Sequence, residues 1–129
     1  MKALVTGGAG YFGELLSKKL LERGYSVRIF DVNRPASIDP TTQPIQADIR
    51  DSAAILTACE GIDVAFHNVA QVPLAKDKNL FWSVNRDGTK SLLEACAYRT
   101  VKKVIYTSSS AVYGIPKSNP VTEKPSRPQ

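Results

Sequence analysis

The chain has 129 residues, 43% of them hydrophobic and 22% charged, with a formal net charge of +5. This is the length and balance of one globular domain with a modest apolar core, which excludes a disordered or fibrous chain. The Lys and Arg residues are scattered, with no basic stripe interleaved with aromatics, and no stretch approaches the ~20 apolar residues of a membrane span, so neither nucleic acid nor a bilayer is expected as a partner.

Ala3-Leu4-Val5 predicts a short strand running straight into Thr6-Gly7-Gly8-Ala9-Gly10-Tyr11-Phe12-Gly13. The first apolar run is short and ends in glycines, which is not the pattern of a secretory leader, and the cytoplasm is the default location. Phe12, Leu15, Leu16 and Leu20 then share one helical face, and Gly24 closes the helix. Strand, glycine turn and helix in this order are the context in which such glycines hold a dinucleotide. Gly7 supplies the tight turn, Gly10 lets a pyrophosphate approach the backbone, and Gly13 lets the helix pack close. Free amides at the helix start would face the phosphates.

Ser26–Phe30 predicts a second strand ending at Asp31. An acidic residue at a strand end about 20 positions past the loop accepts hydrogen bonds from the adenosine ribose. A carboxylate there would repel a 2′-phosphate, so NAD is favoured over NADP, with Arg34 as the opposing feature. Residues 33–42 form a loop rich in turn-forming residues, and residues 44–47 make a weak third strand. Asp51 or Ser52 caps a helix over residues 53–59, which leaves Asp48 free for a ligand. Residues 62–66 form a fourth strand, with His67 to Gln71 at its end. The only histidine reads as a hydrogen-bonded structural residue.

Residues 72–80 read as a mobile loop with a turn or two of helix. A long helix is expected from about Leu80 to Ala97, with Val84, Gly88, Leu92 and Cys96 as its stripe. Asn85 is a poor interior helix residue and needs a hydrogen-bonding partner, backbone or ligand. Cys59 and Cys96 lack zinc spacing and a disulfide framework, so both read as buried free thiols, and no metal is expected. A fifth strand spans residues 103–107 and ends in Ser108-Ser109-Ser110. Alternating strands and helices predict an α/β, doubly wound parallel sheet of the Rossmann type, incomplete after about five strands, over residues 1–115. Right-handed crossovers would gather the glycine loop, Asp31, residues 67–71 and the serine cluster around one crevice. Residues 116–129 hold four prolines without apolar periodicity and read as an extended or disordered tail.

Taken together, Thr6–Gly13, Asp48-Ile49-Arg50-Asp51, Ala70, Val84-Asn85 with Gly88-Thr89, and Thr107-Ser108-Ser109 through Val112-Tyr113-Gly114 resemble the extended short-chain dehydrogenases. The subgroup they are most similar to is the NAD-dependent epimerase/dehydratase family, whose familiar members act on nucleotide sugars. The resemblance implies NAD as cofactor and a small-molecule substrate, a nucleotide sugar. It implies that Tyr11 and Phe12 offer backbone amides to the pyrophosphate and that Asp31 holds the ribose. Asp48 and Ile49 would flank the adenine, Ala70 would line the path to the nicotinamide, and Asn85 would brace the strand ends. Ser109 would hydrogen-bond the reacting substrate oxygen, with Ser108 as its rival. His67-Asn68-Val69-Ala70 departs from the family's usual His-Leu-Ala-Ala.

The family's base is a tyrosine in a Tyr-x-x-x-Lys helix, where the lysine lowers the tyrosine pKa. The one local match, Tyr113 to Lys117, contains Gly114 and Pro116, which oppose a helix, so it is rejected as a dyad. The chain is therefore expected to be the N-terminal part of a larger enzyme, binding NAD weakly and showing no turnover alone. An NADP(H)-dependent ketone reductase, a hydroxysteroid dehydrogenase and a non-enzymatic dinucleotide sensor are the alternatives. Full-length relatives often pair through long helices, which admits a homodimer.

Overall fold

The computed structural model describes residues 1–35, 39–71 and 77–113. The expected tail, residues 116–129, and part of the expected loop at 72–80 lie outside the described residues, as does Lys117. A five-stranded sheet, all parallel, forms the centre. Its strands are β1 (Lys2–Thr6), β2 (Ser26–Asp31), β3 (Gln43–Gln46), β4 (Val64–His67) and β5 (Lys103–Tyr106), in the spatial order β3-β2-β1-β4-β5.

β1 lies in the middle, and Ala3 through Thr6 are fully buried. A strand covered on both faces needs an apolar run rather than alternation. Alternate side chains still divide between two cores. Ala3 and Val5 of β1 join Val27, Ile29 and Leu20 on one face. Leu4, Phe30 and Ala65 join Ile49, Ile55, Leu92 and Cys96 on the other.

Helix α1 (Tyr11–Glu22) covers the first face. It ends where Gly24, at φ +79°, donates to Leu21 O, and Tyr25 donates to Leu20 O at 3.0 Å. That pair of bonds is the Schellman closure that a positive-φ glycine permits. The expected apolar face of α1 is only partly the buried one. Phe12 and Leu15 are exposed, whereas Gly13, Ser17 and Leu20 are buried. The start of α1 sits on the glycine loop through Gly13, which turns the helix so that small residues face inward.

Helix α2 (Ser52–Ala58) is capped by Asp51, whose carboxylate accepts the N–H groups of Ala53 and Ala54, both at 3.0 Å. β4 starts later than residue 62 because Asp63 closes the base of the sheet. Its N–H donates to Lys2 O, and its carboxylate accepts Lys2 N–H at 2.8 Å and the Lys102 ammonium at 2.7 Å.

The expected long helix is a continuous run with a change of winding. It comprises α3 (Lys78–Trp82), a π-helical stretch (Ser83–Gly88) and α4 (Thr89–Tyr98). Val84, Gly88, Leu92 and Cys96 face the core as the spacing predicts. Cys59 and Cys96 are both buried free thiols, with their Sγ atoms 3.8 Å apart. β5 is one of the two edge strands of this sheet, with Tyr106 exposed. Among the described residues, no helix is long and apolar enough to cross a membrane.

Candidate dinucleotide cleft

The glycine loop leaves β1 at Thr6. Gly7 has φ +68°, and its N–H donates to Phe30 O at 2.9 Å. A Cβ on Gly7 would also crowd the Asn68–Val69 backbone at 3.1 Å. Gly13 is under a harder constraint: its Cβ would lie 2.1 Å from Gly7 O and 2.6 Å from Gly8 Cα. The helix therefore approaches the loop itself more closely than the strand. Among the described residues, no backbone acceptor meets the N–H groups of Tyr11, Phe12 and Gly13. They are the orphan donors of a helix start, and the positive end of the helix dipole adds to them.

Asp31 ties the loop to the end of β2. One carboxylate oxygen accepts Ala9 N–H at 3.1 Å and the other accepts Asn33 N–H at 2.9 Å. Beside it opens a cleft of about 430 Å³ at the carboxyl ends of the strands, lined by Gly7, Gly10, Asp31, Asp48, Ile49 and Ala70 among others. The sheet order reverses between β1 and β4, and this is where open α/β sheets bind ligands.

Asp48 is less free than expected. Its carboxylate accepts the Arg50 Nε at 2.9 Å and a second guanidinium nitrogen, and the backbone N–H of Arg50 as well. That hydrogen bonding holds the Asp48 carboxyl below its ordinary range. Arg50 thus forms part of the same wall.

Asn85 finds its partner in the backbone. Its Oδ1 accepts Gln71 N–H at 2.7 Å, and its Nδ2 donates to Gln71 O at 2.9 Å. Both halves of the amide are thereby committed, so Asn85 holds the 68–71 wall and does not line the cleft. His67 is buried, with both ring nitrogens hydrogen-bonded, to Thr6 and Thr89. Burial pushes its pKa down to about 4, so the ring is neutral.

Besides Asn85, five candidates lie outside the lining of this cleft. Gly13 is buried behind the loop, and the side chains of Tyr11 and Phe12 are exposed at the helix start. Ser108 and Ser109 follow edge strand β5 and are exposed. Ser109 Oγ accepts Ala111 N–H at 3.2 Å, and its carbonyl accepts Val112 N–H, as in a local turn. The crevice thus gathers the glycine loop, Asp31 and residues 68–71, and leaves the serines at its margin. No described element lies beyond β5 to fold the serine segment inward.

Asn68, within the 67–71 segment expected at the crevice, lines the cleft, and its buried Nδ2 has no partner among the described residues. Thr107 Oγ1 occupies its Oδ1 from 39 residues away. A larger hollow of about 620 Å³ lies along α1 and shares only Tyr11 with the candidate residues, so the smaller cleft carries the site. Among the described residues, no cluster of three or more His, Cys, Asp or Glu could hold a metal ion.

A parallel sheet in this order, with a glycine turn at its switch point, defines a Rossmann-type fold. Residues 3–129 match the NAD dependent epimerase/dehydratase family, and the chain belongs to that family. The chain is 57% identical over 122 residues to the protein y4nG of Sinorhizobium fredii, covering 95% of this chain and 31% of that one. It is 36% identical to sterol-4-alpha-carboxylate 3-dehydrogenase, decarboxylating, of Mus musculus, covering 86% of this chain and 30% of that one. The crystal structure of UDP-glucose 4-epimerase from Brucella ovis in complex with NAD superimposes with a TM-score of 0.89 at 28% identity, covering 98% of this chain and 41% of that one. The chain therefore spans about a third of the length of these curated relatives.

Proposed function

We propose that this chain is the NAD-holding portion of an epimerase/dehydratase that acts on a nucleotide sugar by transient hydride transfer. The observation that carries the reading is the contact of Gly13 with the Gly7 carbonyl. It seats the helix start, whose first three amides meet no backbone acceptor among the described residues, beside a cleft walled by Asp31. The residues fit a dinucleotide, since a side chain on Gly7 would crowd the Asn68–Val69 wall, one on Gly13 would push the helix start off the loop, and the Asn68 Nδ2 that lines the cleft has no partner among the described residues.

In this reading the amides of Tyr11 and Phe12 bind the diphosphate, and Gly10 admits it. Asp31 accepts from the ribose hydroxyls, and Asp48 and Ile49 flank the adenine. Ala70 borders the nicotinamide path, while Asn85 keeps that border in place through Gln71. Ser109, with Ser108 as the alternative, would orient the substrate hydroxyl once a further part of the enzyme closes over β5. Bound NAD would supply a reversible hydride acceptor for a substrate carbinol. The base that takes the hydroxyl proton belongs to the rest of the longer enzyme, so the chain alone gives no turnover. A cytoplasmic location and a homodimer of the full enzyme belong to the same reading; two buried free thiols suit a reducing compartment.

A second reading, an NAD-dependent sterol dehydrogenase, has the sterol relative behind it. Both readings share the hydride step and differ in what the rest of the enzyme holds. Calorimetry tests the common part. NAD is expected to bind more tightly than NADP. Asp31→Asn is expected to weaken NAD about tenfold, since a hydrogen bond to a charged group contributes ~1.5–3 kcal/mol. Folded chain that releases no heat with NAD, or prefers NADP, overturns the reading. Turnover of a UDP-sugar, or of a sterol, by a chain extended past Gln129 separates the two substrates.

A further inference from the structure

Behind the cleft runs a line of hydrogen bonds whose direction follows from counting protons. Thr89 Oγ1 lies 2.7 Å from Asn85 O and 2.9 Å from His67 Nε2. A carbonyl only accepts, so the single hydroxyl proton of Thr89 goes to Asn85. Thr89 Oγ1 must then accept from His67, and Nε2 carries a proton. The ring is neutral in its buried site, so Nδ1 is bare. Nδ1 accepts from Thr6 Oγ1 at 2.7 Å, and Thr6 Oγ1 accepts Asn68 N–H at 3.3 Å. Each proton therefore points the same way, from Asn68 through Thr6, His67 and Thr89 to the carbonyl of Asn85.

One end of this line, Asn68, lines the cleft, and the other, Asn85, braces its wall. Thr6 is the last residue of β1, directly before the glycine loop. Asn85 clamps both backbone groups of Gln71. Thr89 stands where the π-helical stretch gives way to α4, and from there its hydroxyl reaches both His67 and Asn85. We propose that His67 and Thr89 are positioning residues for the cofactor cleft: Thr89 imposes the Nε2–H tautomer of His67, and that tautomer holds the glycine loop and the 68–71 wall at a fixed separation. This rests on the reading of the cleft as the dinucleotide site. The other tautomer would set the bare Nε2 against the Thr89 oxygen lone pairs and the Nδ1 proton against the Thr6 proton, so both hydroxyls would have to turn and the line would break.

His67 is the only histidine, so its imidazole signals need no assignment. Nitrogen-15 NMR of the full chain without ligand, together with NAD calorimetry, tests the proposal on wild type, Thr89→Val and Thr89→Ser. Wild type is expected to show the Nε2–H form with a slowly exchanging ring proton. Thr89→Val keeps the side-chain shape and is expected to show the Nδ1–H form or a mixture, with NAD affinity five- to tenfold lower. Thr89→Ser is expected to restore both. A wild-type ring in the Nδ1–H form overturns the proposal. So does a Thr89→Val chain with wild-type tautomer and affinity, or a Thr89→Ser chain that behaves like valine. An Nε2–H wild type that binds no NAD overturns the cofactor reading, and the positioning role with it. The ligand-free spectrum tells that failure from a failure of the hydrogen-bonded line.

Discussion

Alanine at Gly88 sets two effects of known sign against each other. Gly88 has helical backbone angles, φ −62° and ψ −43°, where alanine is favoured over glycine by about 1 kcal/mol. Its Cβ, however, would lie 2.6 Å from Ile49 Cγ2 and 3.1 Å from Cγ1. Ile49 is 3% exposed and branched at Cβ, so it has no free rotamer to retreat into. Overpacking of this kind costs ~1–3 kcal/mol. Gly88→Ala should therefore destabilise the chain by about 1 kcal/mol. Ile49→Leu removes the methyl at 2.6 Å while conserving volume. In that background the helical preference acts with little opposition, and Gly88→Ala should stabilise by up to about 1 kcal/mol. Urea unfolding followed by circular dichroism on the four proteins gives the cycle, with an expected coupling of about 2 kcal/mol. Because Ile49 lines the cleft, NAD affinity should also fall in Gly88→Ala and recover in the double variant. The same sign and size of effect in both backgrounds would refute the close seating of this helix on Ile49.

Three further outcomes follow from particular contacts. The His67 pKa is lowered from 6.5 to about 4, so between those values the unfolded chain binds more protons and stability falls on acidification, by about 3 kcal/mol across the window; denaturant titrations of wild type minus His67→Gln read this, and a flat difference contradicts a buried neutral ring. Gly13→Ala forces Cβ onto backbone atoms that cannot move aside, so NAD binding should vanish with at least ~1–3 kcal/mol of lost stability, and unchanged calorimetry would count against the cradle. Asp51→Ala removes the cap of α2 and should cost about 1 kcal/mol in thermal or urea unfolding, leaving NAD affinity as it was.

The strand, loop and helix from Lys2 to Glu22, the cap at Asp51 and the stripe through Val84, Gly88, Leu92 and Cys96 could all be read from the residues in order. Each depends on spacing along a few turns or on the backbone angles that one residue permits, and such properties are local. The rotation of α1, which exposes Phe12 and Leu15, depends instead on Gly13 meeting Gly7 and Gly8. The commitment of Asn85 to Gln71 and the path from Thr6 through His67 to Thr89 likewise appear only once the chain is folded. That Ser109 does not line the cleft is also visible only in the folded chain. Hydrogen bonds and packing between residues 14 to 61 positions apart have no period to betray them, because the sheet order alone brings those partners within reach.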